Sequence, residues 1–197
     1  MATLDLQVGA GADDAQENDT GTAFSGTFTT LSAASAAAAG SRYNSGMRFT
    51  GVTIQGTTIN VAYLAIHAYS TSTDDPNVDI LAEGVDDAAN FVTTADVTSR
   101  VRTTASVQWT ATGIGAGEVN SPSIVAVVQE LADRAGFANS AAVLFMDGKD
   151  DVSRSFFTDA YEGSTTEAAK LHIEYTAGGG GTAVPVFDHH YRMLRAA

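Results

Sequence analysis

Histidines and carboxylates are the side chains in this sequence whose types could support chemistry, and their spacing limits what that chemistry is. His189 and His190 are adjacent near the end of the sequence, and neutral imidazole is a frequent metal ligand. Adjacent residues of an extended strand point to opposite faces, so the two rings do not converge readily on one ion. The pair therefore favours packing or docking over metal binding, and the sequence leaves the metal ligands unassigned.

Carboxylates cluster at four places that are predicted to be loops: Asp13-Asp14, Asp74-Asp75, Asp86-Asp87 and residues 147–151. Calcium binds several loop oxygens at once, so a structural calcium ion is one interpretation. The 147–151 segment lacks the glycine that an EF-hand loop carries at its sixth position. A solvated acidic surface is the simpler interpretation, and we expect no other cofactor.

Motifs that identify common catalytic sites are missing. The chain has no cysteine, and it has neither a Gly-x-Ser-x-Gly elbow nor a His-Glu-x-x-His pair. The glycines at 113–117 lack the final glycine of a dinucleotide fingerprint, so they are interpreted as a turn. We predict no catalytic residues and a protein that is not an enzyme.

Exposed aromatic side chains would suit a sugar-binding surface. Tyr43, Tyr69, Trp109 and Tyr161 are the candidates, although the alternation around Trp109 favours a position in the core. His67 falls on an apolar strand face and is predicted to be a hydrogen-bonded core residue, and His172 is predicted at the surface. A surface glycan therefore stays open as a ligand.

The charge balance excludes some partners. Asp and Glu number 23 against 10 Lys and Arg, giving a net charge of −13. Nucleic acids and anionic membranes are bound by clustered cations, so we expect neither as a partner. The first residues lack a signal peptide's basic and apolar regions, and no apolar run is long enough for a membrane span. We therefore expect synthesis in the cytoplasm without export by that route.

One helix is predicted at residues 121–135. Ser121 is the expected N-cap, Pro122 the first helical residue and Gly136 the C-terminal stop. The apolar stripe that would face the core consists of Ile124, Val127, Val128 and Leu131.

The remaining apolar segments are short and alternate with period two, which is typical of strands. The predicted strands are 3–8, one carrying Phe24 and Phe28, one starting at Met47, and 58–69, 78–83, 106–110, 142–146, 155–159 and 171–175. Both faces of 58–69 are largely apolar, so this strand is predicted to be central and covered on both sides. Residues 13–19 are predicted to be a loop. The pattern favours a mainly β fold, an antiparallel, jelly-roll-like β-sandwich with one helix near 121–135.

The composition changes after residue 176. Residues 1–176 form the predicted sandwich domain, 177–181 a glycine linker, and 182–197 a tail too apolar for an ordinary solvated segment. We predict that this tail docks on a partner through Val184, Val186, Phe187, His189, Tyr191, Arg192, Met193, Leu194 and Arg195.

Several segments resemble one module type, in the same order along the chain. They are 47–54 (MRFTGVTI), 57–64 (TTINVAYL), 88–91 (AANF), 99–109 (SRVRTTASVQW), 121–124 (SPSI), 128–131 (VQEL), 134–137 (RAGF) and 171–175 (LHIEY). These segments resemble the DNRLRE-like β-sandwich or jelly-roll accessory modules of bacterial surface proteins and phage virion proteins. The resemblance implies a non-catalytic module and carries over no binding residues.

Such a module without an export signal is typical of a virion component, which is assembled in the host cytoplasm. We therefore expect a bacteriophage structural protein, either a capsid decoration or cement protein or a neck or tail appendage. The tail would anchor it to other virion proteins, and homo-oligomerisation is expected because virions carry symmetric copies. The alternative function is a carbohydrate-binding or adhesion module.

Overall fold

The computed structural model describes residues 1–19, 24–25, 27–32, 42–69, 77–92, 96–110, 113–149 and 156–178. Within these residues the chain forms two six-stranded sheets and one α-helix. The elements are β1 (Ala2–Gln7), β2 (Asp14–Asn18), β3 (Phe24–Ser25), β4 (Thr30–Ser32), β5 (Tyr43–Val52), β6 (Thr58–Ala68), β7 (Asn77–Ala82), β8 (Val107–Thr110), β9 (Gly117–Asn120), α1 (Val125–Ala132), β10 (Ser140–Gly148), β11 (Phe157–Asp159) and β12 (Lys170–Thr176). The predicted mainly β, antiparallel sandwich with one helix is confirmed.

The first sheet, sheet A, has the strand order β1-β12-β6-β11-β4, and β9 also pairs with β6. All its pairings are antiparallel. The first and last strands are neighbours, with Ala2 opposite Tyr175 and Gln7 opposite Lys170. In this order β6 lies between β12 and β11, so it is a central strand, as its sequence predicts.

The second sheet, sheet B, has the order β3-β2-β5-β10-β7-β8, again antiparallel throughout. The core between the sheets is built from the inward residues of both, such as Leu64 and Ile66 from β6 and Phe49 and Leu144 from sheet B. The single tryptophan, Trp109, is 2% exposed and belongs to this core, as predicted.

A chain segment between β7 and β8 covers part of the outer face of sheet B. Phe91 and Val97 pack there against Val143 and Phe145 of β10. The guanidinium of Arg102 lies 3.4 Å from the ring centroid of Phe145. Buried Glu17 accepts hydrogen bonds from the backbone N–H groups of residues 97 and 98. These contacts fix the covering segment in place.

Helix α1 begins later than predicted. Its N-cap is Ile124, and its buried residues include Val127, Val128 and Leu131. Ser121 is not the cap, because its hydroxyl accepts from the backbone N–H of Leu64 and thus joins the segment before the helix to β6. Pro122 precedes the helix, and Gly136 lies three residues beyond its C-cap, Asp133, so those end assignments are wrong. The predicted apolar stripe is confirmed.

Two strand predictions are also wrong, and two short strands, β4 and β9, were not predicted. Residues 14–18 form the buried strand β2 instead of a loop. Strand β3 ends at Ser25, so exposed Phe28 is not part of it. Strand β9, which follows the predicted turn at 113–117, was not predicted.

Strand β6 has one covered face, whereas two were predicted. Val61 and Tyr69, on the face that points away from the core, are 37% and 60% exposed. No helix in the described part of the chain combines the length and apolarity that crossing a bilayer requires. Asp74, Asp75 and the tail 182–197 lie outside the described residues.

Candidate functional site

The outer face of sheet A carries a group of polar side chains that a ligand could reach. Side chains alternate along each strand, so Tyr63, Ala65 and His67 of β6 point outward while Leu64 and Ile66 enter the core. The antiparallel register aligns these outward residues with those of the neighbouring strands. Tyr63 is opposite His172 on β12, and His172 is opposite Asp5 on β1.

A depression of about 350 Å³ lies on this face. Its lining residues are Asp5, Leu6, Gln7, Tyr63, Ala65, Glu118, Lys170, Leu171 and His172. Ala65 is 5% exposed, and its small side chain leaves the space that longer neighbours enclose. The depression thus arises from one small residue in a row of large polar ones.

The charges around the depression are paired within the protein. The ammonium of Lys170 lies 2.6 Å from Oε2 of Glu118. Nδ1 of His172 lies 2.6 Å from Oδ1 of Asp5, and the His172 ring stacks on Tyr63 with 4.6 Å between centroids. These lining groups therefore already have polar partners within the protein.

The depression contains an acid–imidazole pair, but its lining has no serine, threonine or cysteine. Asp5 and His172 form an acid–imidazole pair, which in many enzymes activates a nucleophile. None of the lining residues is a serine, threonine or cysteine. Among the described lining residues, the pair therefore has no hydroxyl or thiol of that kind to activate.

A second polar cluster lies further along β6. Nδ1 of His67 is 2.6 Å from Oδ2 of Asp159, and Nε2 is 3.5 Å from Oε1 of Glu167. His67 is hydrogen-bonded as predicted, but its side chain is 26% exposed, so its assignment to the core is wrong. Glu118, which is opposite His67 on β9, lines the neighbouring depression.

The carboxyl group of Asp14 has the most perturbed acidity among the described residues. Its pKa is raised from 3.8 to about 7, chiefly by burial and in smaller part by the negative charges of Glu162 and Asp13. The backbone N–H of Tyr161 donates to this carboxyl at 2.8 Å and opposes the rise. Perturbed acids occur at active sites, but Asp14 is only 1% exposed and does not line the depression. Its effect is therefore on stability.

The predicted acidic clusters are engaged inside the protein where the structure describes them. Asp13 pairs with Arg48, Asp86 with Arg134 and Asp147 with Arg102. Asp87 accepts from the backbone N–H of Ala141. Each of these four carboxylates therefore has a hydrogen-bond or ion-pair partner within the protein.

The predicted aromatic platform and docking residues have different outcomes. Tyr161 packs against the core, while Tyr69 is exposed at the end of β6. The aromatic that lines the depression is Tyr63, whose outward position follows from the alternation of β6, although that face was predicted to be covered. The predicted docking residues Val184, Val186, Phe187, His189, Tyr191, Arg192, Met193, Leu194 and Arg195 lie outside the described residues.

Comparisons with known proteins give no family assignment. No family model matches the chain, and no curated protein matches it.

Proposed function

We propose that this protein is a non-enzymatic structural protein of a bacteriophage particle. Capsid decoration is the first choice of position, and a neck or tail appendage is the second. The support is the resemblance over residues 47–175, the sandwich fold that the resemblance implies, and the apolar tail that follows the glycine linker.

The observation that carries the proposal is the position of Gly178, the last described residue before the tail, relative to the polar groups of sheet A. Gly178 lies beside the backbone carbonyl of Gly56, at the end of the sheet where Thr176 is opposite Thr58. His67 lies roughly 30 Å along β6 from Thr58, at about 3.3 Å per residue. An anchor formed by 182–197 would hold the sandwich at one end and leave the polar face accessible at the other.

Self-association fits the same arrangement. Virion surfaces carry symmetric copies of their components, so the tails of several copies would meet at a common binding position. The net charge of −13 would keep the exposed faces of neighbouring copies apart. We therefore expect copies to contact one another and other virion proteins through the tail.

Particle association tests the proposal directly. Particles purified by density gradient from the lysate that produces this protein should contain the full chain, and it should remain bound after a high-salt wash. A chain ending at Ala177 should stay folded and be lost from the particles. A chain with the residues of 182–197 in scrambled order is the matched control, since it keeps the tail's composition. Recovery of the full chain only in the particle-free fraction would refute the proposal.

The depression on sheet A favours glycan binding as a second candidate function. Its lining combines an aromatic ring with amide, carboxylate and ammonium groups, which are the groups that bind sugar hydroxyls and sugar faces. Titration of the labelled protein with neutral oligosaccharides should shift the amide resonances of β6 and β12. Tyr63→Ala should abolish these shifts, while Tyr69→Ala, an exposed aromatic outside the lining, should leave them unchanged. A glycan array without any saturable binding would remove this candidate.

A further inference from the structure

We propose that His67, Asp159 and Glu167 form a binding site for a divalent transition-metal ion, with Zn²⁺ as the representative. His67 and Glu167 would ligate the ion, and Asp159 would hold the His67 ring; one donor atom from each of the three side chains lies within 4.8 Å of the other two. This inference does not rest on the proposed function, since it concerns a different group of residues.

Three separate elements bring the donors together. His67 points outward from β6, and Asp159 is the last residue of β11, which pairs with β6 through Thr158 and Ala68. Glu167 lies in the turn between β11 and β12. The backbone N–H groups of Glu167 and Ala168 both donate to the carbonyl of Ser164, which holds this turn. An ion here would join the turn to the sheet.

The contact with Asp159 determines which nitrogen of the His67 ring carries the proton. An ionised carboxylate only accepts hydrogen bonds, so its 2.6 Å contact places the proton on Nδ1. Nε2 then carries the free lone pair. A carboxylate that orients a histidine from the far side of its ring is the usual support of a histidine ligand in metal sites. The Asp159 side chain is only 6% exposed, which fixes this orientation.

Nε2 of His67 lies near a second carboxylate. Its distance to Oε1 of Glu167 is 3.5 Å, which exceeds an ordinary hydrogen-bond length. Two ligands that are each about 2.0–2.2 Å from a tetrahedral zinc ion stand roughly 3.3–3.6 Å apart. The spacing therefore matches a cation between Nε2 and Oε1, with water in the remaining positions.

Charge and donor type indicate the class of ion. Two carboxylates and a neutral imidazole sum to a charge of −2, which a divalent cation balances. Glu118, the neighbour of His67 on β9, is already paired with Lys170 at 2.6 Å. Mixed nitrogen and oxygen donors suit zinc, whereas calcium requires more oxygen ligands.

His172 supplies a matched comparison on the same sheet face. Its Nδ1 is 2.6 Å from Asp5 and its Nε2 is 3.5 Å from Glu174, so both contacts have the same lengths as those of His67. Within the described residues, only the His67 group has a donor atom from each of its three side chains within 4.8 Å, so its orienting carboxylate adds negative charge close to the ion position. The Asp5 side chain is also 74% exposed, so it fixes its ring less firmly.

Zinc titration of the tag-free full chain by calorimetry at pH 7 tests the site. We expect one ion per chain at the His67 group. Glu167→Gln should weaken binding at least tenfold, and Asp159→Asn should weaken it 10- to 100-fold, the usual effect of losing an orienting carboxylate. His172→Gln should change the affinity less than twofold. Metal-free thermal melts check that each variant is folded.

Two further measurements distinguish zinc binding at the His67 group from zinc binding by the tail histidines. The His189→Gln/His190→Gln variant should retain zinc binding, and ¹⁵N spectra should show the zinc-dependent shift at Nε2 of His67. Calcium at millimolar concentration should not displace zinc. Loss of binding in the tail variant, unchanged affinity in Glu167→Gln, or a His67 ring that does not respond to zinc would each overturn the proposal.

Discussion

Replacing Asp14 with asparagine should stabilise the domain at pH 8 and reduce its loss of stability between pH 5 and pH 8. The carboxyl is buried beside two other acids, and its pKa is raised from 3.8 to about 7. An acid with a higher pKa in the folded chain binds its proton more tightly there. Its contribution to stability is therefore complete below pH 3.8, declines as the pH rises, and is lost above pH 7.

The magnitude follows from the two pKa values. Each pKa unit corresponds to about 1.4 kcal/mol, so the full effect is roughly 4 kcal/mol. Because part of it is lost below pH 5, we expect about 2–3 kcal/mol to disappear between pH 5 and pH 8. Asparagine has nearly the same shape, its oxygen can accept from the N–H of Tyr161, and it carries no charge. The free energy of unfolding of Asp14→Asn should therefore not show this loss between pH 5 and pH 8.

Urea unfolding at pH 5, 6, 7 and 8 measures the difference between the two proteins. Trp109 is the only tryptophan and is buried, so its fluorescence reports loss of the core. Asp133→Asn, an exposed carboxylate at the end of α1, controls for the change in net charge. If the stability curves of wild type and Asp14→Asn run parallel across this range, burial does not perturb Asp14 and the argument is wrong.

Substitutions at the contact between sheet B and its covering segment should destabilise the domain through two different causes. Gly46→Ala should destabilise by about 1–3 kcal/mol, because a Cβ there would lie 2.5 Å from the ring of Phe91. Gly115→Ala, where nothing lies within 4 Å, should be nearly neutral in the same urea assay. Arg102→Met should lower the free energy of unfolding by about 1–3 kcal/mol, because it leaves the Asp147 carboxylate unpaired. Equal midpoints of mutant and wild type in thermal melts would contradict this.

The sandwich could be predicted because the alternation of inward and outward side chains is visible in the sequence of each strand by itself. In β6 and β12 the period of two identified both the strand and the residues that share a face. It did not identify which face is covered, because Val61, Tyr63 and Ala65 are as apolar as many buried residues. That information depends on where other segments of the chain lie, and here Val61 stays exposed while Ala65 is buried.

Strand β2 and the start of α1 were missed for a related reason. Residues 14–18 are acidic and polar, yet they are buried, because Glu17 accepts N–H groups from a segment about 80 residues away. Ser121 has the expected type for a helix cap but hydrogen-bonds to Leu64 instead. The His67 group likewise combines residues separated by about 100 positions, which no local motif could indicate.

The pairing of β1 with β12 has a consequence for how the protein is made. Residues 2–7 meet residues 170–176 only after nearly the whole domain has been synthesised. Pairings this distant in sequence form late and slowly, because a long loop must close first. During synthesis, β1 therefore leaves the ribosome long before its partner β12 does, and it stays unpaired until then.

The depression on sheet A depends on that final pairing, since Asp5 and Gln7 come from β1 while Lys170 and His172 come from β12. A chain stopped by premature termination before residue 170 would lack the lining groups that β12 supplies. Ligand binding at this face would therefore distinguish complete molecules from prematurely terminated ones during biosynthesis.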